Sequence, residues 1–226
     1  MIATVDVADI GSAATIRTLV HRPAVDSVPG LQWVDVAVLT TLATTRPPRL
    51  RRAGLLAFWD DEDTADAFRR SHPFSQPFAS GFHAVLQPLR AYGSWPGLSS
   101  DIPTDRAAPH EGPVMVLTLG RLRPSQLVRF VRASRPAERA AKVAPGLIWG
   151  TAGARPPFVT TVSIWQDSQA TAAFAYGRQN TAHSDAIAKQ QRKDFHRRSA
   201  FVRFAPLRLE GALEGVNSLS AEAIIP

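Results

Sequence analysis

The pentapeptide PGLQW occupies residues 29–33, and PGLIW returns at residues 145–149. A second pair follows in the same order, FWDDEDTADAF at 58–68 and IWQDSQATAAF at 164–174. A third closes the series, PLRAYGSWPG at 88–97 with PLRLEGALEG at 206–215. The offsets are 116, 106 and 118 residues, so their lengths drift while the order holds. One unit of roughly 100 residues, written twice, accounts for all three pairs.

The unit is legible element by element. Alternating apolar and polar residues at 3–10 and 114–122 predict half-buried first strands. Helical spacing follows at 13–22 and 125–133, with Pro124 suited to a first helical turn. The PGLxW turn leads into a second strand, and residues 53–59 and 158–165 supply third strands. Asp61 and Asp167 stand where an N-cap belongs, ahead of helices ending in A-x-A-F or A-A-F. Fourth strands are expected at 82–89 and 200–207. Each half therefore reads β-α-β-β-α-β, the ferredoxin-like order. Helices cover one face of such a sheet, and the other apolar face needs a partner. Two copies in one chain, sheet against sheet, predict an α+β fold, a single-chain version of the dimeric α+β barrel. The expected division is a first repeat at 1–98, a Pro- and Asp-rich linker at 99–111, a second repeat at 112–216 and a tail at 217–226. The recurring tryptophans and aspartates belong to this fold, as core residues and caps.

Composition narrows the chemistry. The 226 residues are 45% hydrophobic and 20% charged, as in a soluble globular protein. No apolar run reaches the ~18–20 residues of a membrane span, and no secretory signal is visible, so a cytoplasmic location is expected. There is no cysteine. That excludes disulfides, thiolate-held iron–sulfur clusters, thiolate-ligated haem and cysteine zinc sites. The net charge of +7 is carried mainly by scattered arginines, with one cluster at 192–198. No nucleic-acid module accompanies it, and no nucleic-acid partner is expected. Phosphate-binding glycine loops, the G-x-S-x-G elbow and H-E-x-x-H are all missing.

Function in a duplicated fold should show where the copies differ. After its second helix the first half carries SHPFSQPFASG at 71–81, where Pro73 and Pro77 prevent a regular helix. The second half has NTAHSDAIAKQQRKD at 180–194, which sustains a helical pattern. At 100° per residue His183, Ala186, Ile187 and Gln190 share one face. An imidazole among small and apolar neighbours leaves room for a flat apolar ligand.

A family resemblance joins these stretches. The second half, through GPVMVLTLGRL (112–122), TTVSIWQD (160–167), AHSDAI (182–187) and FVRF (201–204), resembles spheroidene monooxygenase of carotenoid biosynthesis. PLRAYGSWPG in the first half is similar as well, and the likeness covers most of residues 81–210. It implies a haem b-dependent oxygenase that inserts oxygen from O2 into a lipophilic or aromatic substrate, with a ferredoxin or reductase as electron donor. Haem proteins on this scaffold, among them chlorite dismutases, dye-decolorising peroxidases and aldoxime dehydratases, take their iron ligand from a histidine in one repeat. His183 falls on the family's histidine and is the implied metal ligand, with Ala186 and Ile187 beside the ring. Arg178, Arg197 and Arg203 are the cations offered to the haem propionates. Thr161, Ser163 and Trp165 alternate along one strand and so share a face. On that implication the two hydroxyls are the catalytic groups addressing oxygen, and Trp165 lines the cofactor. The chain departs from the family at 34–52 and at DFHRR (194–198), including His196. Those stretches approach a substrate entrance, so the carotenoid substrate does not follow. A haem enzyme of peroxidase or dehydratase type, a cofactor-free monooxygenase of the antibiotic-biosynthesis type and a haem- or lipophile-binding protein remain as alternatives. The duplication leaves the oligomeric state open.

Overall fold

A computed structural model describes residues 1–44, 50–105, 110–176 and 195–213. The first half runs β1 (Ile2–Asp9), α1 (Gly11–Val20), β2 (Leu31–Thr41), β3 (Arg52–Trp59), α2 (Glu62–Ser71) and β4 (Phe82–Gly93). The second runs β5 (Val114–Leu122), α3 (Leu127–Lys142), β6 (Leu147–Arg155), β7 (Phe158–Trp165), α4 (Ser168–Tyr176) and β8 (His196–Glu210). Helix α3 extends well past the predicted 125–133 and carries Pro136 in its interior. The fold is α+β, as expected.

The strands close into one barrel in the order β1-β3-β2-β6-β7-β5-β8-β4. Each half contributes a run in the ferredoxin-like order, and the runs join edge to edge. One seam pairs β2 with β6 from Val38↔Ala154 to Thr41↔Thr151, and the other pairs β4 with β8 from His83↔Glu210 to Gly93↔Ala200. Two open sheets would leave four strands with unpaired amides and carbonyls, and closure removes every such edge. The long β4 and β8 form the second seam because each extends beyond its own sheet. The interior holds Phe58, Phe82, Leu86, Met115, Leu117 and Phe204, none more than 1% exposed. Each side chain of that size contributes about 1.5–3 kcal/mol on burial.

The duplication persists in atomic detail. Gly30 and Gly146 adopt φ of +70° and +81°, a region costly to residues with a Cβ. A Cβ at Gly30 would lie 2.5 Å from Thr64 Oγ1, and one at Gly146 2.5 Å from Ala170 Cβ. The carbonyls of the same glycines accept from the amides of Asp60 (2.9 Å) and Gln166 (2.8 Å). Asp61 Oδ1 caps α2 by accepting from the Thr64 amide at 2.9 Å, and Asp167 Oδ1 accepts from the Ala170 amide at 2.6 Å. Trp59 meets Phe68 and Trp165 meets Phe174, both with centroids 5.1 Å apart. PGLxW and W-x-D thus form one device, a left-handed glycine turn packed on a capped helix start.

After α2 the prolines act as expected. Residues Gln76–Phe78 make a short 3-10 turn, and Phe78 plugs the helix-side face at 1% exposure. The stretch expected to be a linker packs instead: Ile102 is buried in the barrel cluster, and the Ala91 amide donates to Pro103 O at 2.9 Å. Among the described residues no helix is long and apolar enough to cross a membrane.

Candidate functional site on the helix side of the second half

Alternation along β7 sends Phe158, Val162 and Ile164 into the barrel core. Thr161, Ser163 and Trp165 therefore lie together on the opposite, helix-side face, as their spacing requires. Trp165 is 2% exposed and packs on Phe174 of α4. Its indole N–H donates to Ser163 Oγ at 2.9 Å, which leaves the serine proton available for another acceptor. Thr161 is half-buried. The barrel register sets Thr161 between Ala152 and Thr118, and Ser163 between Gly150 and Val116. The row through Ser163 continues across Val116 to Arg203 of β8 and then to Arg90 of β4.

Comparison of the two halves identifies what is special here. In the first half the matching face is a packed cluster that includes Leu55, Ala57, Trp59, Phe68 and Val85. The repeat alignment puts Thr161 where the first half has Leu55, Ser163 where it has Ala57, and Arg203 where it has Val85. The registers agree, since Val85 pairs with Thr4 and Arg203 with its counterpart Val116. Three apolar residues have become two hydroxyls and an arginine.

Charge compensation also differs between the copies. Arg208 on the first-half face meets Glu62 at 3.0 Å, Glu210 at 3.2 Å and Asp66. Those partners hold its pKa above the ordinary arginine value, with the Asp66 hydrogen bond the leading cause. Its repeat counterpart is Arg90. The positions matching Glu62 and Asp66 are Ser168 and Ala172, so the carboxylates are gone. Arg90 instead donates to Tyr176 Oη at 3.2 Å and to Thr104 O at 3.1 Å. Arg203 beside it is 6% exposed, and burial followed by the charge of Arg90 pushes its pKa below the ordinary value. Among the described residues no carboxylate pairs with Arg203. A buried guanidinium without a counter-charge is costly, and an anion at this end of the face would offset that cost.

The remaining sequence candidates divide. Arg203 joins Thr161, Ser163 and Trp165 on one face. Arg197 does not: it lies at the start of β8 and lines a cleft at one mouth of the barrel. Six residues of strand separate Arg197 from Arg203, about 20 Å at ~3.3 Å per residue. His183, Ala186, Ile187 and Arg178 lie outside the described residues. Among the described residues there is no cluster of three or more His, Asp or Glu side chains fit to hold a metal ion. Sequence reading passed over Arg90 and Tyr176. The only signal for Arg90 was its place in the repeated P-L-R, which looked structural.

The comparisons with known proteins agree with this scaffold. No family model matches the chain. The spheroidene monooxygenase of Rubrivivax gelatinosus is 33% identical over 174 residues, 74% of this chain. The match spans 65% of that relative, slightly under two thirds of its length. The spheroidene monooxygenase of Rhodobacter capsulatus is 28% identical over 189 residues, 80% of this chain and 77% of the relative. Among solved structures, an aldoxime dehydratase bound to butyraldoxime superposes with a TM-score of 0.51 at 8% identity, over 91% of this chain and 79% of that one. At that identity the superposition speaks for the fold alone. Both sequence matches are to spheroidene monooxygenases, and together they support a spheroidene monooxygenase-like family for this chain.

Proposed function

We propose that this chain is a haem-dependent monooxygenase acting on a lipophilic or aromatic substrate, with its cofactor on the helix-side face of the second half. One observation carries the proposal: Leu55, Ala57 and Val85 of the packed first half are replaced by Thr161, Ser163 and Arg203, and the carboxylates Glu62 and Asp66 by Ser168 and Ala172. Haem presents a flat apolar ring and two carboxylates, and this face fits it. Ala152 and Val116 offer a floor of small to medium side chains, while Arg203 and Arg90 offer charge with no carboxylate partner among the described residues. Haem, when bound, supplies the activation of dioxygen and the transfer of oxygen to substrate.

This chain's residues bind, orient and move protons around that chemistry. Arg203 and Arg90 hold the acidic edge of the cofactor and fix its rotation on the sheet. Tyr176, bonded to Arg90, keeps that guanidinium over the face. Ser163 accepts from Trp165 and so directs its own proton away from the indole, and the Thr161 hydroxyl stands two positions earlier on the same face. Both are placed to donate to developing negative charge on oxygen. The support for His183 as iron ligand is the family resemblance, as it is for Ala186 and Ile187 beside the ring. A ferredoxin or reductase is the proposed electron source. The departures at 34–52 and 194–198 keep the substrate at the level of a class.

Purified after haem-replete growth, the protein is expected to show a Soret band that is lost or shifted in His183→Ala. Turnover should need O2 with a reductant, and not peroxide alone. Colourless protein that takes up no added haem overturns the proposal.

A further inference from the structure

The mouth of the barrel that carries Arg197 holds a second, differently built site. It is an open cleft of about 660 Å³, within the ~300–1,000 Å³ typical of small-molecule sites. Its floor is aromatic. Trp33, Trp95 and Phe158 meet one another with centroids 5.6–5.8 Å apart, at inclined to perpendicular angles. These rings come from the start of β2, the segment after β4 and the start of β7, so both halves build the floor. Trp95 is 7% exposed, yet its indole nitrogen is buried with no hydrogen-bond partner.

The rim is cationic. Arg22, Arg121, Arg197 and Arg198 line the cleft against one carboxylate, Asp35. That carboxylate is already committed. Arg155 grips it through both oxygens at 2.7 and 2.8 Å, and Arg22 approaches at 3.2 Å. Arg121 and Arg198 are direct cross-strand partners on β5 and β8, so two guanidiniums rise side by side from neighbouring strands. Among the described residues no carboxylate forms an ion pair with Arg121, Arg197 or Arg198. Burial pushes the Arg22 pKa below its ordinary value; Asp35 offsets this in part, and Arg155 and Arg121 add repulsion. Arg121, Arg197 and Arg198, gathered round an aromatic cup with no ion-pair carboxylate among the described residues, favour an oxyanion held by arginine forks.

We propose that this cleft binds an organic anion, a flat aromatic body carrying a carboxylate or phosphate. The body lies on Trp33, Trp95 and Phe158, and the oxyanion sits between Arg121 and Arg198. The site is distinct from the proposed haem face, which lies on the helix side of the sheet at the middle of β8.

Calorimetric titration of the full chain tests this with 2-naphthoate, 2-naphthyl phosphate and the neutral 2-naphthamide. Both anions should bind at least tenfold more tightly than the amide, with affinity falling as salt rises. The Arg121→Gln/Arg198→Gln double variant should lose at least tenfold for the anions and leave the amide unchanged. Arg203→Gln, outside this cleft, should alter none of the three. The carboxylate and phosphate arms rank the two oxyanions. No anion binding at millimolar concentration, equal affinity for the amide, or a folded double variant that binds like the parent overturns the proposal. Haem is not part of the readout, so the result is independent of the monooxygenase proposal.

Discussion

Replacing Arg203 by methionine separates stability from binding at the haem-side face. Methionine keeps an unbranched stem of similar reach and removes the guanidinium. Arg203 is 6% exposed, faces Arg90 across the β4–β8 seam and has no carboxylate partner among the described residues. Its repeat counterpart is the apolar, fully buried Val85. Exchange of buried charge for well-packed apolar side chains stabilises by about 1–4 kcal/mol even where the charge was paired. For Arg203→Met we expect a gain of about 1–2 kcal/mol in the ligand-free protein, a Tm rise of roughly 3–6 °C for a chain of this size. Thermal unfolding followed by circular dichroism measures it. Haem added in excess should then raise the Tm of the parent by mass action and raise that of the variant less. A fall of more than 2 °C in ligand-free Arg203→Met refutes this account, because Arg203 would then hold the native structure together instead of waiting for an anion.

Other perturbations probe the scaffold. Asp35→Asn leaves Arg155 and Arg22 around a neutral amide in a 3% exposed position, and should cost about 2–4 kcal/mol, read as a lower urea midpoint at unchanged slope. Gly30→Ala and Gly146→Ala each force a Cβ into a left-handed backbone and a 2.5 Å contact, so comparable losses of roughly 2–3 kcal/mol are expected in both halves. A loss at only one of them would contradict the equivalence of the two turns. The Asp61 carboxyl is held below its usual pKa by the Thr64 amide first and the Thr64 hydroxyl second. The folded state thus prefers the carboxylate, so this contribution is whole above the unfolded value of about 4 and is lost as pH falls through the lower folded one. The Tm difference between parent and Asp61→Ala should stay level from about pH 5 to 7 and shrink toward pH 3.

How much of this was legible depends on range along the chain. Asp61 and Asp167 could be recognised as caps because the amides they accept from are three residues away. Gly30 and Gly146 sit inside a repeated pentapeptide, and Thr161, Ser163 and Trp165 share a face by strand alternation alone. Helical spacing was read over 125–133, and the helix runs on to Lys142 with Pro136 in its interior. Arg197 and Arg203 looked equivalent as basic residues after the stretch 182–187, and only the extended run of β8 sets them six residues of strand apart.

The sequence by itself determined the duplicated β-α-β-β-α-β unit, its turns and caps, the absence of thiol chemistry and the kinship with spheroidene monooxygenases. Those features are local, or are preserved as words in the chain. Tertiary structure decided that the sheets join edge to edge, that Arg90 and Arg203 stand together without a carboxylate partner among the described residues, and that Trp33, Trp95 and Phe158 floor a cleft under four arginines. Each of these depends on strand register and on which charges fail to find a partner, and both are set by contacts between residues distant in the chain.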